Sequence, residues 1–180
     1  MDKKIDARLV NQALTLLDGK LVQGESRTYG LIVGGGGALV GAYEYGNSTT
    51  DVDAIAPGTD LSDIEEQIQD VGRELNIGLD WLNSHFSAYT LYIPSSFRAR
   101  LRRFFSGKKL TADALGPEDL LVMKFMAGRS KDRPHVQFLL RQKNVDLRIV
   151  EKRLEELLRL YPKVAAAAIE LFDEVTEGGP

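Results

Sequence analysis

The chain has 180 residues, enough for one domain with its own hydrophobic core or for one domain with a helical appendage. Apolar and charged fractions of 43% and 27% are ordinary for a globular protein, and a net charge of −3 gives no global attraction to nucleic acid or membrane. The absence of cysteine removes disulfides, thiolate zinc sites and cysteine nucleophiles together, and fits a reducing cytoplasm.

In chain order, the opening Met-Asp-Lys-Lys-Ile-Asp is charged, so no signal peptide is expected. No apolar run further along approaches the roughly 18 residues of a membrane span. Ile5, Leu9, Val10, Ala13, Leu16 and Leu17 recur at nearly helical spacing and predict an amphipathic helix over 4–17, broken by Gly19 and Gly24. Tyr29, Leu31, Ile32 and Val33 predict a buried strand, which runs into the glycines Gly34 to Gly37. A helix is expected after them through Ala38, Leu39, Val40, Ala42 and Tyr43. Gly46 to Thr50 is a turn by composition, and 51–56 is the next strand, stopped by Pro57-Gly58.

Asp60 or Ser62 can cap a helix reaching about Leu75, with Ile64, Ile68, Val71 and Leu75 on one face. Within 77–95 only Tyr89 to Ile93 has a legible pattern, an extended one. Strands are expected at 101–105 and 109–114 around a Ser106-Gly107 turn. Helices follow from Pro117 and over 131–143, 147–160 and 162–176, and the tail Glu177-Gly178-Gly179-Pro180 is expected to fray. The order predicts an α+β protein: a mixed sheet flanked by helices over 1–115, with a C-terminal helical region over 116–180 packed on it.

Gly34 to Asp53 carries the most chemical information. Glycine lets backbone approach a ligand closely, and a helix N-terminus offers N–H groups to an anion, so phosphate is the natural guest. Asp51 and Asp53 are separated by Val52 alone, and on a strand such side chains share a face. Two adjacent carboxylates repel unless a cation sits between them, and Mg²⁺ commonly takes one or two carboxylates plus substrate phosphates. A dinucleotide fingerprint fails, because Leu39 and Val40 stand where its last glycine or alanine belongs. No Walker A string exists, and Ile55 excludes a calcium loop starting at Asp51. Taken singly, the glycines can be a flexible turn and the aspartates a solvated strand end; their succession favours a site.

These residues resemble the DNA polymerase β-like nucleotidyltransferase superfamily, whose motif places Gly-Gly or Gly-Ser before a short helix and Asp-x-Asp or Asp-x-Glu on the next strand. Gly36, Gly37, Asp51 and Asp53 match it. The string Lys124-Phe125-Met126-Ala127-Gly128-Arg129, followed by Asp132, resembles the Lys-x-x-Ala-x-Arg-x-x-Asp helix of the AbiEii-like branch, which includes toxins of toxin–antitoxin and phage-defence systems. The resemblance covers roughly residues 30–142. It departs at Asn47, where that branch commonly has Arg, and at His135, where an acidic residue is frequent.

The resemblance implies a cytoplasmic enzyme that moves a nucleoside monophosphate from an NTP to a hydroxyl of RNA, such as a tRNA end, or of a protein, with a cognate antitoxin as a further partner. Asp51 and Asp53 would hold Mg²⁺ or Mn²⁺, and Asp80 would serve as third catalytic carboxylate. Gly36, Gly37, Thr49 and Lys124 would meet the nucleotide. The competing expectation is a catalytically silent relative that binds a nucleotide or a partner protein. His85 and His135 read as structural, and a lone Trp81 as core. Arg98, Arg100, Arg102, Arg103, Lys108 and Lys109, interleaved with Phe97, Phe104 and Phe105, read either as a solvated face or as an RNA contact.

Overall fold

A computed structural model describes residues 3–177; the glycines and proline at 178–180, expected to fray, lie outside the described residues. The chain divides into two units, one made of the residues up to Ala88 with Leu101–Leu115, the other of Tyr89–Arg100 with the residues from Gly116 onward.

The first unit is built on a five-stranded mixed sheet. Its strands are β1 (Tyr29–Val33), β2 (Val52–Ile55), β3 (Leu82–Asn83), β4 (Arg102–Ser106) and β5 (Leu110–Ala114), in the order β3-β2-β1-β5-β4. β1 runs parallel to β5 and antiparallel to β2, β2 runs parallel to β3, and β4 and β5 form an antiparallel hairpin. β1 is buried at Tyr29, Leu31, Ile32 and Val33, as the continuous apolar run of a central strand requires. β2 alternates, with Val52 and Ala54 in the core and Asp53 half-buried.

Helix α1 (Ala7–Gln23) starts where Asp6 accepts the N–H of Leu9 at 2.8 Å. It continues through Gly19, where a break was expected. Leu14, Leu17 and Leu21 on either side are fully buried, and the contacts they make outweigh the roughly 1 kcal/mol helix penalty of one glycine. Asp18, on the same helix, accepts backbone N–H groups of Lys108, Lys109 and Leu110 at 2.7–3.0 Å and so fastens the β4–β5 turn. Burial pulls the Asp18 carboxyl upward, but these donors outweigh it and hold the group below its ordinary range.

Helix α2 (Gly35–Ala42) packs against β2, and α3 (Glu65–Leu75) against α1. Asp60 caps the short turn before α3 by accepting the Ser62 N–H at 2.9 Å. Trp81 is fully buried and donates its indole N–H to the carbonyl of Ile68 at 2.9 Å, which makes it a core residue.

The second unit holds α4 (Pro117–Ala127), α5 (Arg133–Leu140), α6 (Leu147–Leu158) and α7 (Pro162–Glu177), with α4 packed on each of the other three. Tyr89 to Ile93, expected to be extended, is not a strand: 3₁₀ turns cover His85–Leu91. The carbonyls of Leu91, Tyr92 and Ile93 accept from the Arg153 guanidinium at 2.6–3.3 Å, so a side chain takes the bonds a neighbouring strand would have made. Arg100 grips the fully buried Asp119 of α4 with bonds of 2.6 and 3.0 Å. Among the described residues no helix is long and apolar enough to cross a membrane.

Candidate active site

β1 ends at Val33, and the chain turns through Gly34 into α2. Gly34 donates its N–H to the Asp53 carbonyl at 2.9 Å, which sets the helix N-terminus beside the start of β2. Gly34, Gly35 and Gly37 leave little space for a side chain. Gly35 has φ +57°, a left-handed conformation that favours glycine, and a Cβ on it would stand 2.9 Å from Asp53 Oδ2. A Cβ on Gly37 would lie 3.0 Å from the Val52 Cα, so Gly37 is the close contact between α2 and β2 and is itself buried. Gly36, the other glycine matched to the phosphate motif, is half-buried in the first turn of α2. The first N–H groups of a helix have no partner within it, and the dipole there favours negative charge, so this turn suits both the Asp53 carboxylate and a phosphate.

Asp51 immediately precedes β2 and Asp53 is its second residue, and the alternation of the extended chain gives them one face. Each offers a carboxylate oxygen, His85 offers a ring nitrogen, and the three atoms lie within 4.8 Å of one another. An octahedral ion with bonds of 2.0–2.1 Å holds its ligands about 3–4 Å apart, so this group fits a divalent cation with little adjustment. Two like charges about 4 Å apart repel by roughly 1–4 kcal/mol, according to their exposure, and a bound cation relieves that. Asn83, paired with Asp53 in the β2–β3 register, bonds to two members of the group. Its amide donates to Asp51 Oδ2 at 3.4 Å, and its Oδ1 accepts the backbone N–H of His85 at 2.9 Å.

Asp80 is not a member of this converging group. It is exposed, and its backbone carbonyl accepts from the Asn83 amide at 3.2 Å. It lines a cavity of about 300 Å³ together with Asn83, Ser84, His85, Asp60, Ser62 and Glu65. The lining carries three carboxylates and no lysine or arginine. Thr49 bridges to Ile5 through both backbone groups, and its hydroxyl donates to the Asp51 carbonyl at 3.0 Å, bracing the turn before β2. Asn47 is exposed in the preceding bend.

Lys124 belongs to the second unit. It is buried in α4, with its ammonium 2.9 Å from Asp132 Oδ1 and 3.0 Å from His135 Nδ1. Arg129 adds a bond to Asp132 Oδ2 at 2.8 Å. The lysine, arginine and aspartate of the helix motif are thus one hydrogen-bonded cluster. Burial raises the Asp132 carboxyl, and the His135, Lys124 and Arg129 donors outweigh it, leaving the group well below the usual carboxylate range.

The basic stretch divides between the units. Arg98 lies over the Phe97 ring and Arg100 pairs with Asp119 in the second unit, while Arg102 lies over Tyr43 and Arg103 pairs with Asp113 in the first. Most of its guanidinium groups therefore have intramolecular partners, as a structural face requires.

His85, read from the sequence as structural, is the third member of the group. An isolated histidine far along the chain carries no local signal; only its place directly after a strand that pairs with the Asp-x-Asp strand would have pointed to it. Comparison with curated proteins and with solved structures returns no match. A family model described as "Nucleotidyltransferase of unknown function (DUF6036)" matches residues 12–170, a span that includes the glycine turn, the aspartate pair, His85 and the Lys124 cluster, and the chain belongs to that family.

Proposed function

We propose that the protein is a metal-dependent nucleotidyltransferase that moves a nucleoside monophosphate from an NTP to an acceptor hydroxyl. The observation that carries the reading is the convergence of Asp51 and Asp53 with a third ligand beside the N-terminal turn of α2. Asp51 and Asp53 would hold the cation, Mg²⁺ or Mn²⁺, which when bound neutralises triphosphate charge and makes the acceptor hydroxyl easier to deprotonate. The backbone of Gly35 and Gly36 at the start of α2 receives the phosphates, where dipole and N–H groups favour anions. The acceptor oxygen bonds to the α-phosphorus as the α–β anhydride breaks, pyrophosphate leaves, and the hydroxyl proton passes to a carboxylate or to water. We assign Asp80, on the wall of the adjoining cavity, to the acceptor side.

Of the two acceptor classes, a protein hydroxyl fits that cavity better than RNA, because Asp60, Glu65 and Asp80 repel a phosphate backbone. The AbiEii-like resemblance carries with it a cytoplasmic toxin of a toxin–antitoxin or phage-defence system, with a cognate antitoxin as partner. Growth arrest on expression, relieved by Asp51→Ala, is the expected phenotype.

The test is transfer of label from α-labelled NTP to a cellular acceptor, with pyrophosphate release, by wild type, Asp51→Ala and Asp53→Ala. The reading expects transfer by wild type alone; equal transfer by all three rejects it. Two observations favour the second reading, a silent relative that binds a nucleotide: the residue paired with Asp53 on β3 is an amide, Asn83, and Asp80 is outside the group. NTP binding by calorimetry in the presence of the cation, with no label transferred, decides for it.

A further inference from the structure

The group at the start of β2 contains an imidazole where the superfamily resemblance implies a third carboxylate. We propose that His85 is the third protein ligand of the cation at Asp51 and Asp53, and that it makes the site select a first-row transition ion such as Mn²⁺ over Mg²⁺. The proposal rests on the reading of Asp51 and Asp53 as metal ligands given above.

The two histidines of the chain stand in contrast. The His135 ring is engaged by Lys124 and Asp132. The His85 ring has no hydrogen-bond or ion-pair partner among the described residues, yet one of its nitrogens lies within 4.8 Å of a carboxylate oxygen of each aspartate. Its backbone is fixed on two sides. Asn83 accepts its N–H while also donating to Asp51, so one amide sets the spacing between two members of the group. The next residue, Phe86, is buried, and its ring fills the space a Cβ on Gly34 would occupy, 3.0–3.2 Å away. The glycine turn thereby holds the histidine segment as well as the helix N-terminus.

The donor set decides the ion. Mg²⁺ is hard, keeps oxygen ligands and demands near-ideal octahedral geometry, whereas imidazole nitrogen suits Zn²⁺, Fe²⁺, Ni²⁺ and Cu²⁺; Mn²⁺, at the weak end of that series, shares the carboxylate preference of Mg²⁺ and is the member that suits a set of two carboxylates and one imidazole. Asn83 adds no negative charge, so Asp51, Asp53 and a neutral His85 carry −2, matched to one divalent cation. A carboxylate in place of the imidazole would remove the discrimination.

The experiment uses the full chain with Mn²⁺ as probe. Electron spin-echo envelope modulation of the Mn²⁺-loaded protein is expected to show coupling to an imidazole ¹⁴N, lost in His85→Ala and in His85→Gln. Competition titrations should show Mn²⁺ bound more tightly than Mg²⁺, with the ratio falling by about 10-fold or more in the His85 variants, at least the loss that removing a supporting group causes. His85→Asp should keep Mg²⁺ binding and lose the ¹⁴N signal. Absence of the signal in wild type, or an unchanged Mn²⁺/Mg²⁺ ratio in either folded His85 variant, overturns the proposal. If Asp51→Ala and Asp53→Ala leave Mn²⁺ binding intact, the metal-site reading itself fails; if they abolish it while the His85 variants change nothing, only the role of His85 falls.

Discussion

Gly35 shows how much of the site depends on one missing methyl group. Its φ of +57° costs an L-residue about 1–2 kcal/mol, and a Cβ would press on the Asp53 carboxylate. Gly35→Ala is expected to destabilise by about that amount and to weaken divalent-metal binding as well; denaturant melts and metal titration of one sample read both. Asn83→Ala should leave stability nearly unchanged yet lower metal affinity by about 10–100-fold, as loss of a group that orients ligands does. An Asn83→Ala protein with unaltered affinity would show that the amide does not set the spacing. At this scale the sequence revealed the aspartates, because strand periodicity places i and i+2 on one face whatever surrounds them. The packing of Gly37, read as a phosphate contact, on Val52 is a tertiary fact invisible to spacing. His85 was invisible for the same reason: the β2–β3 register, not the local sequence, brings it to Asp51 and Asp53.

Elements followed their local chemistry except where a distant partner outweighed it. The β4–β5 hairpin and the Pro117 start of α4 were legible because turn and cap residues act locally, while Asp60, expected with Ser62 as a cap of the helix reaching Leu75, caps the 3₁₀ turn that precedes α3. Gly19 was misread as a helix end, since the burial of Leu17 and Leu21 that carries α1 past it is not a local property. The space around Gly19 is open, with nothing within 4 Å of a Cβ. Gly19→Ala is therefore expected to stabilise the protein by about 0.4–1 kcal/mol, seen as a raised denaturation midpoint. In the second unit, the Lys124–Asp132 pair is expected to dominate acid sensitivity. Asp132 sits below its ordinary range, so the folded unit binds fewer protons than the unfolded chain. The stabilisation is complete above the unfolded carboxylate pKa of about 3.9 and is lost as pH falls below it. Asp132→Asn should cost about 3–5 kcal/mol near neutrality, because it strands a buried ammonium. The variant should also show a flatter decline of stability on acidification below about pH 4 than wild type.

For the whole molecule, the α+β class and the mixed sheet were readable from the order of elements alone. A strand, glycine turn and short helix lead to an antiparallel return, and a later hairpin closes the other edge. The family match over residues 12–170 agrees with that architecture. The proposed function depends on the two aspartates clamping a divalent ion at the glycine turn. Calorimetric titration of the intact protein with Mn²⁺, beside Asp51→Asn/Asp53→Asn verified as folded, tests this most directly. Saturable binding by the wild type that is absent in the amide variant is the predicted result; matching isotherms, or no binding by either, would contradict it.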